Sequence, residues 1–279
     1  MFRDQIEQID RLLTLPQIIT QINEVIESEK AGASDLQRVI KADPVLSTKI
    51  LQLVNSAYYG LPGRVGSLEK AVVLLGMTAV KNLAIAASVE QMFDRLHLPG
   101  PLTGRDMWRH CLAVATAARE LAQRASMVYL EEVFMAGLIH DLGLLAAAQS
   151  VPQDVAKLVE TAMSSKASWA AAELEILGMS HATAGAHLAR KWHFPGYLVD
   201  MIADHHAWPD KPVSSDLAGV VYLADTLACR LGDGLALTAQ HQSIDPEMLG
   251  RLNLAEADIT DVWNNLPAYV EELSGILRV

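Results

Sequence analysis

Apolar residues recur along this chain at the three-to-four spacing of an α-helix almost from end to end, and that period constrains the fold more than any other feature. Leu46, Ile50, Leu53 and Val54 fall at i, i+4, i+7 and i+8, and Leu36, Val39 and Ile40 make the same kind of stripe one helix earlier. Alternating strand patterns are absent; AVVLL and GVVYL are short β-branched runs inside longer helical ones. The punctuation agrees. Asp43-Pro44 reads as an N-cap followed by proline at the first helical position, opening a helix to about Ser56. The stretch AYYGLPGRVGS, residues 57–67, is a loop, after which Ser67 caps a short helix stopped by Gly76. Further helices are expected near 78–96, 105–125, 131–141, 152–166, 168–177, 181–194, 196–206, 215–231 and 258–277. The chain is expected to be all-α.

Length and composition set the scale. The 279 residues are about twice the commonest domain size. Of them 51% are hydrophobic but only 5% aromatic, which favours helix packed on helix through Leu, Ala, Val and Ile. HLPGPLTG, residues 97–104, is the best boundary candidate. It divides an N-terminal helical lobe, 1–100, from a second lobe, 101–279, on which the first is expected to pack. Lys and Arg total 22 against 33 Asp and Glu, a net charge of −11. So acidic a chain lacks the basic footprint of a nucleic-acid-binding protein. Cys111 and Cys229 each sit inside an apolar helical pattern, which excludes a disulfide scaffold and points to a reducing compartment. The apolar run Ala71 to Val80 stops at Lys81 and Asn82, too short to span a bilayer, and MFRDQIEQID is no signal peptide. A cytoplasmic protein with no membrane partner is expected.

Eight of the nine histidines lie in the second lobe. His140-Asp141 closes the apolar helix EEVFMAGLIHDLG, and His205-His206 sits in IADHHAWPD. His110 shares a helical row with Val114, Ala117 and Leu121, so its imidazole must find a partner. Asp225 is a lone carboxylate within the hydrophobic helix AGVVYLADTLACRL, and burying it unpaired is costly. Imidazole and carboxylate donors without thiolate suit iron, manganese, zinc or nickel. His110, His140, Asp141 and Asp225 make one site, and His181, His205 and His206 supply a second metal, with Asp141 able to bridge. Two close divalent ions activate water and clamp a phosphoester. Asp106 reads equally as an extra ligand or as a helix cap. His97, His187, His193 and His241 match no ligand position, and Asn55, Ser56, Tyr58 and Tyr59 read as ordinary turn residues. Gly185 suits a close approach of two helices.

The order His110, His140-Asp141, His181, His205-His206, Asp225 resembles the HD superfamily of metal-dependent phosphohydrolases, in the extended arrangement of its HD-GYP branch. AGLIHDLG, HATAGAHLARKWHFP, IADHH and YLAD resemble the superfamily's ligand helices. KADPVLSTKILQLVNSAYYG followed by GSLEKAVVLLGMTAVKNLAI is similar to the opening of the HDOD domain, the HD-related output domain of bacterial signalling proteins. Together the resemblances cover roughly residues 10 to 230. They imply an HDOD/HD-like helical bundle in a bacterial signal-transduction protein, with a signalling protein as partner. Two departures argue against cyclic di-GMP hydrolysis. Leu144 stands where HD-GYP enzymes carry a lysine, and AWPDKP replaces the GYP segment. Every ligand position is nonetheless kept. The expectation is a regulatory protein with an HD-type site for two divalent ions; the alternative is a phosphohydrolase acting on a nucleotide or other phosphoester, with Asp141 bridging the ions and activating water.

Overall fold

The computed structural model describes residues 2, 6, 17–27, 32–94, 96, 102–164, 168–208, 213–232, 235, 237–239 and 241–277, and all regular structure among them is helical. The described residues fall into two compact units, one within Phe93–Pro267 with Phe2 and Ile6, the other within Leu15–Met92 and Ala268–Val279. The chain crosses between them inside two helices, so the last turns of the C-terminal helix group with the early residues and not with 101–279. Of HLPGPLTG, residues 97–101 lie outside the described residues.

The smaller unit holds α1 (Gln17–Glu27), α2 (Ala33–Lys41), α3 (Pro44–Val54), α4 (Leu68–Leu75), most of α5 (Met77–Asp94) and the end of α15 (Glu256–Leu277). Asp43 caps α3 by accepting from the Val45 and Leu46 N–H groups, and Ser67 caps α4 by accepting from Lys70 N–H. Gly76 stops α4 at φ 86°, a conformation that favours glycine. The loop after α3 is tied by one amide: Asn55 donates to Leu51 O and Val65 O and accepts from Val65 N–H at 2.8 Å. The aromatic ring of Tyr58 packs edge-on to Tyr269 of α15 at 5.3 Å. Lys49, only 5% exposed, donates to Leu277 O at 2.5 Å, which places an ammonium at the negative end of α15.

The larger unit holds α6 (Gly104–Arg124), α7 (Leu130–Ile139), α8 (Leu142–Ser150), α9 (Pro152–Ser164), α10 (Trp169–Leu177), α11 (His181–Lys191), α12 (Gly196–Asp204), α13 (Asp216–Leu231), α14 (Pro246–Arg251) and most of α15. Helix α6 packs on α7 and α13, while α11 packs on α8 and α12. A single helix over 131–141 was expected, but α7 stops at Ile139. Beyond it His140 Nδ1 takes the Gly137 carbonyl at 2.7 Å, while Leu144 and Leu145 N–H turn back to Asp141 O. The restart at α8 was not expected, and neither was α14, although Asp245 caps it and Pro246 opens it, the same signal as Asp43-Pro44. The stretch Leu130–Ser150 is apolar and long enough to cross a membrane, yet 89% of its most apolar 18 residues is buried inside the protein.

Two seams set the spacing of this unit. A Cβ on Gly137 would meet Ala115 Cα and N at 2.7 Å, so α6 and α7 touch backbone to backbone. A Cβ on Gly143 would stand 2.0 Å from His181 O and 2.6 Å from Gly185 N, and one on Gly185 would stand 3.0 Å from Gly143 N. The close approach expected at Gly185 is therefore matched by a second glycine across the seam. Gly143→Ala is expected to lower stability by about 1–3 kcal/mol or more, because the obstacle is backbone and cannot move aside. Gly66→Ala, which meets nothing within 4 Å, is the control with little effect in the same denaturant titration.

Candidate metal centre

All seven residues singled out as ligands come together in the larger unit. His110 projects from the middle of α6, His140 and Asp141 from the break between α7 and α8, and His181 from the first position of α11 behind its Ser180 cap. His205 and His206 follow the last turn of α12, and Asp225 lies mid-way along α13. Five of these are supplied by helix ends, where a side chain can turn across the axes of its neighbours.

The hydrogen bonds around the cluster fix which nitrogen of each ring faces inward. His140 Nδ1 lies 2.7 Å from Gly137 O and His205 Nδ1 lies 2.6 Å from Ile202 O. A carbonyl only accepts, so both Nδ1 atoms carry the proton and both Nε2 atoms present lone pairs. His181 Nδ1 is held by both oxygens of Glu173, at 2.8 and 3.0 Å, with the same result. Gln242 Nε2 lies against His206 Nδ1 and its Oε1 faces Thr226 Oγ1 at 2.7 Å, while the Thr226 hydroxyl also reaches Tyr222 O at 2.8 Å, to which it can give its single proton. The network closes when the amide turns its oxygen to His206 Nδ1–H, leaving that Nε2 as a donor of electrons as well.

Below about pH 9 the Nε2 of His181 carries the proton that an ion would displace, and it faces the His205 and His206 lone pairs; once that proton leaves, lone pairs face lone pairs. His181 Nε2 lies 3.1 Å from His205 Nε2 and 3.0 Å from His206 Nε2. Asp141 Oδ1 is 3.2 Å from His181 Nε2, while its Oδ2 is 3.3 Å from His140 Nε2 and 3.6 Å from His110 Nε2. His110 Nε2 is 3.2 Å from Asp225 Oδ1. Donors bound at about 2.1 Å to one ion stand about 3.0–3.4 Å apart, so these separations are the edges of a coordination shell. His110 Nδ1 and Nε2, His140 Nε2, both Asp141 oxygens and Asp225 Oδ2 are buried without a hydrogen-bond partner. Such orphaned atoms are costly in a dry interior and fit a cation. Two groups stand out: His181, His205 and His206, and His110, His140 and Asp225; the oxygens of Asp141 face one group each.

The electrostatics divide the histidines. Burial pulls His181 down, but Glu173 and then Asp141 outweigh it and raise its pKa to about 9. Burial likewise works against the charge on His140, and Asp141 overcomes it. His205 is pushed well below the ordinary range by burial and the other rings, and His206 falls to about 4 for want of solvent. Burial would raise Asp141, yet His140, His181 and His110 hold it well below the usual carboxylate range.

Asp106 is a cap. Thr103 N–H donates to its Oδ2 at 2.9 Å and its own N–H donates to Thr103 Oγ1, a reciprocal box at the start of α6. His187 is half-buried and His193 and His241 are exposed, away from the cluster, while His97 lies outside the described residues. Sequence reasoning missed Glu173 and Gln242. Glu173 shares the otherwise apolar helix WAAAELEIL with Glu175, so it stood out less than Asp225 does in its helix; Gln242 carried no signal.

A helical unit with a buried His/Asp cluster gathered at helix ends has the organisation of an HD-type domain. The chain belongs to the HDOD domain family, whose signature matches residues 12–208. An HDOD domain protein of unknown function from Geobacter sulfurreducens shares the fold at a TM-score of 0.83, with 21% identity over 99% of this chain and 96% of that one. A candidate phosphohydrolase from Shewanella amazonensis SB2B is 27% identical, with a TM-score of 0.74 over 98% of this chain and 97% of its own. An uncharacterized protein of Treponema pallidum (strain Nichols) is 25% identical over 207 residues, and ribonuclease Y of Mycoplasma mycoides 27% identical over 206. The match spans only 40% and 38% of those two proteins, against 74% and 72% of this chain.

Glu173→Gln is expected to weaken metal binding about 10–100-fold with helicity intact, because the carboxylate orients the His181 ring and raises its basicity. An ion bound at His181 must displace a proton at any pH below about 9. Apparent affinity should therefore rise about tenfold per pH unit between pH 7 and 9 for that proton. In Glu173→Gln the rise should move to lower pH, and calorimetry in two buffers would read both effects.

Proposed function

We propose that this chain is a regulatory HDOD module of a bacterial signalling pathway, in which a His/Asp centre for two divalent ions holds the larger unit in the form a partner protein recognises. One ion lies among His110, His140, Asp141 and Asp225, the other among His181, His205 and His206, with Asp141 between them. When bound, the ions supply positive charge and Lewis acidity; the protein's part is to aim the Nε2 lone pairs and to exclude water. The observation that carries the regulatory reading is closure. Six of the seven side chains are at most 1% exposed, and only His206 reaches solvent, at 20%. Structural metal sites are closed, whereas catalytic ones keep an open position. Leu144, where a phosphate-binding lysine would stand, is fully buried among apolar neighbours. The module would act in the cytoplasm beside a signalling protein partner, and no nucleic acid or membrane is invoked.

The hydrolytic reading rests on the completeness of the donor set and on the likeness to the Shewanella candidate phosphohydrolase. In it Asp141 would bridge both ions and activate water against a phosphoester. One experiment separates the two. Protein purified without chelators should carry iron, manganese, zinc or nickel by elemental analysis, and Asp141→Ala should lose most of it. Metal-replete wild type should turn over neither cyclic dinucleotides nor a generic phosphodiester above that variant, since phosphoryl transfer also needs cations that hold the phosphate in line. Turnover abolished by both Asp141→Ala and Asp225→Ala would make the protein an enzyme.

A further inference from the structure

We propose that Cys111 supplies a thiolate to the ion held by His140 and Asp141, which makes the centre selective for a thiophilic divalent metal, zinc over manganese. The inference rests on the reading that the cluster holds metal, and adds to it a sulfur donor beside the imidazoles and carboxylates. Cys111 follows His110 on α6 and is fully buried. Its Sγ, a ring nitrogen of His140 and a carboxylate oxygen of Asp141 all lie within 4.8 Å of one another. Tetrahedral donors of one ion stand about 3.6 Å apart when metal–sulfur bonds are about 2.3 Å and metal–nitrogen bonds about 2.1 Å, so an ion would draw the Cys111 thiol inward by at most about 1.2 Å, within reach of a small side-chain rotation. The atoms it would join are the ones left without hydrogen bonds: His140 Nε2 and both oxygens of Asp141.

The second cysteine sharpens the contrast. Cys229 Sγ, also close to the cluster, is already engaged: it donates to Asp225 Oδ1 at 3.6 Å and to Leu235 O at 3.7 Å, and meets Thr238 Oγ1 at 3.5 Å. Charge points the same way. Two divalent ions bring four positive charges into a closed site. The buried carboxylates of this unit, Asp141, Glu173 and Asp225 among the described residues, return three. A Cys111 thiolate supplies the fourth and leaves the interior neutral, which a medium of low dielectric demands. On binding, the S–H bond breaks, a sulfur–metal bond forms and the proton leaves to solvent. Imidazole accepts most first-row ions, so the thiolate is the donor that discriminates among them.

The test uses the chelator-stripped full chain reloaded with cobalt(II), whose thiolate complexes show a charge-transfer band in the near ultraviolet. The band is expected in wild type and in Cys229→Ser, where Cys111 is the sole cysteine, and lost in Cys111→Ser and Cys111→Ala at unchanged helicity. The zinc-over-manganese preference of Cys111→Ser should fall at least about tenfold. Cobalt bound stoichiometrically without the band in Cys229→Ser, or a band that survives in Cys111→Ser, overturns the sulfur ligand and leaves the metal centre standing. Cobalt that fails to bind wild type at all overturns both.

Discussion

The larger unit is arranged around imidazole nitrogens turned inward on one another, with a single exchangeable proton on His181 where an ion would sit. Three Nδ1–H groups are fixed outward, by Gly137 O, Ile202 O and the Glu173 carboxylate, and once that proton leaves the inward atoms are lone pairs about 3 Å apart. Apolar packing alone would never hold such atoms together, since they repel and are cut off from water. The helix ends make the arrangement affordable. His140 and His205 each bond the carbonyl three residues back, so the same contact that finishes a helix also aims a ring.

The architecture was legible because helical period and caps are local properties. Asp43, Ser67 and Gly76 act as their sequence context indicates, each within three or four residues of its partner. The break at His140-Asp141 was not legible. It comes from a ring bonding its own backbone, and the flanking glycines, Gly137 and Gly143, serve helix contacts and not a turn. The donors themselves could be picked out by chemistry, as polar residues on apolar rows, and by their order. Their supports could not. Gln242 reaches His206 from a segment whose sequence carries no signal, and the distance between the two in the chain hides the contact. Glu173 shares its helix with Glu175, and sequence alone does not say which of the two faces inward; the structure buries Glu173 and exposes Glu175.

The smaller unit shows a different economy. Lys49, its one buried ammonium among the described residues, sits on the last carbonyl described in α15, and Asn55 closes a loop with a single side-chain amide. Both are polar groups answering backbone groups that would otherwise be orphaned. Neither resembles the metal cluster, where the unanswered atoms are the point.

The Gly143–Gly185 seam has an evolutionary consequence. Because backbone meets backbone there, the distance between the Asp141 and His181 helices is set by chain geometry and not by what lies between them. A lineage can therefore exchange or discard donors one at a time without the helices drifting apart. The mould outlasts its contents, so fold and metal chemistry are free to diverge at different rates.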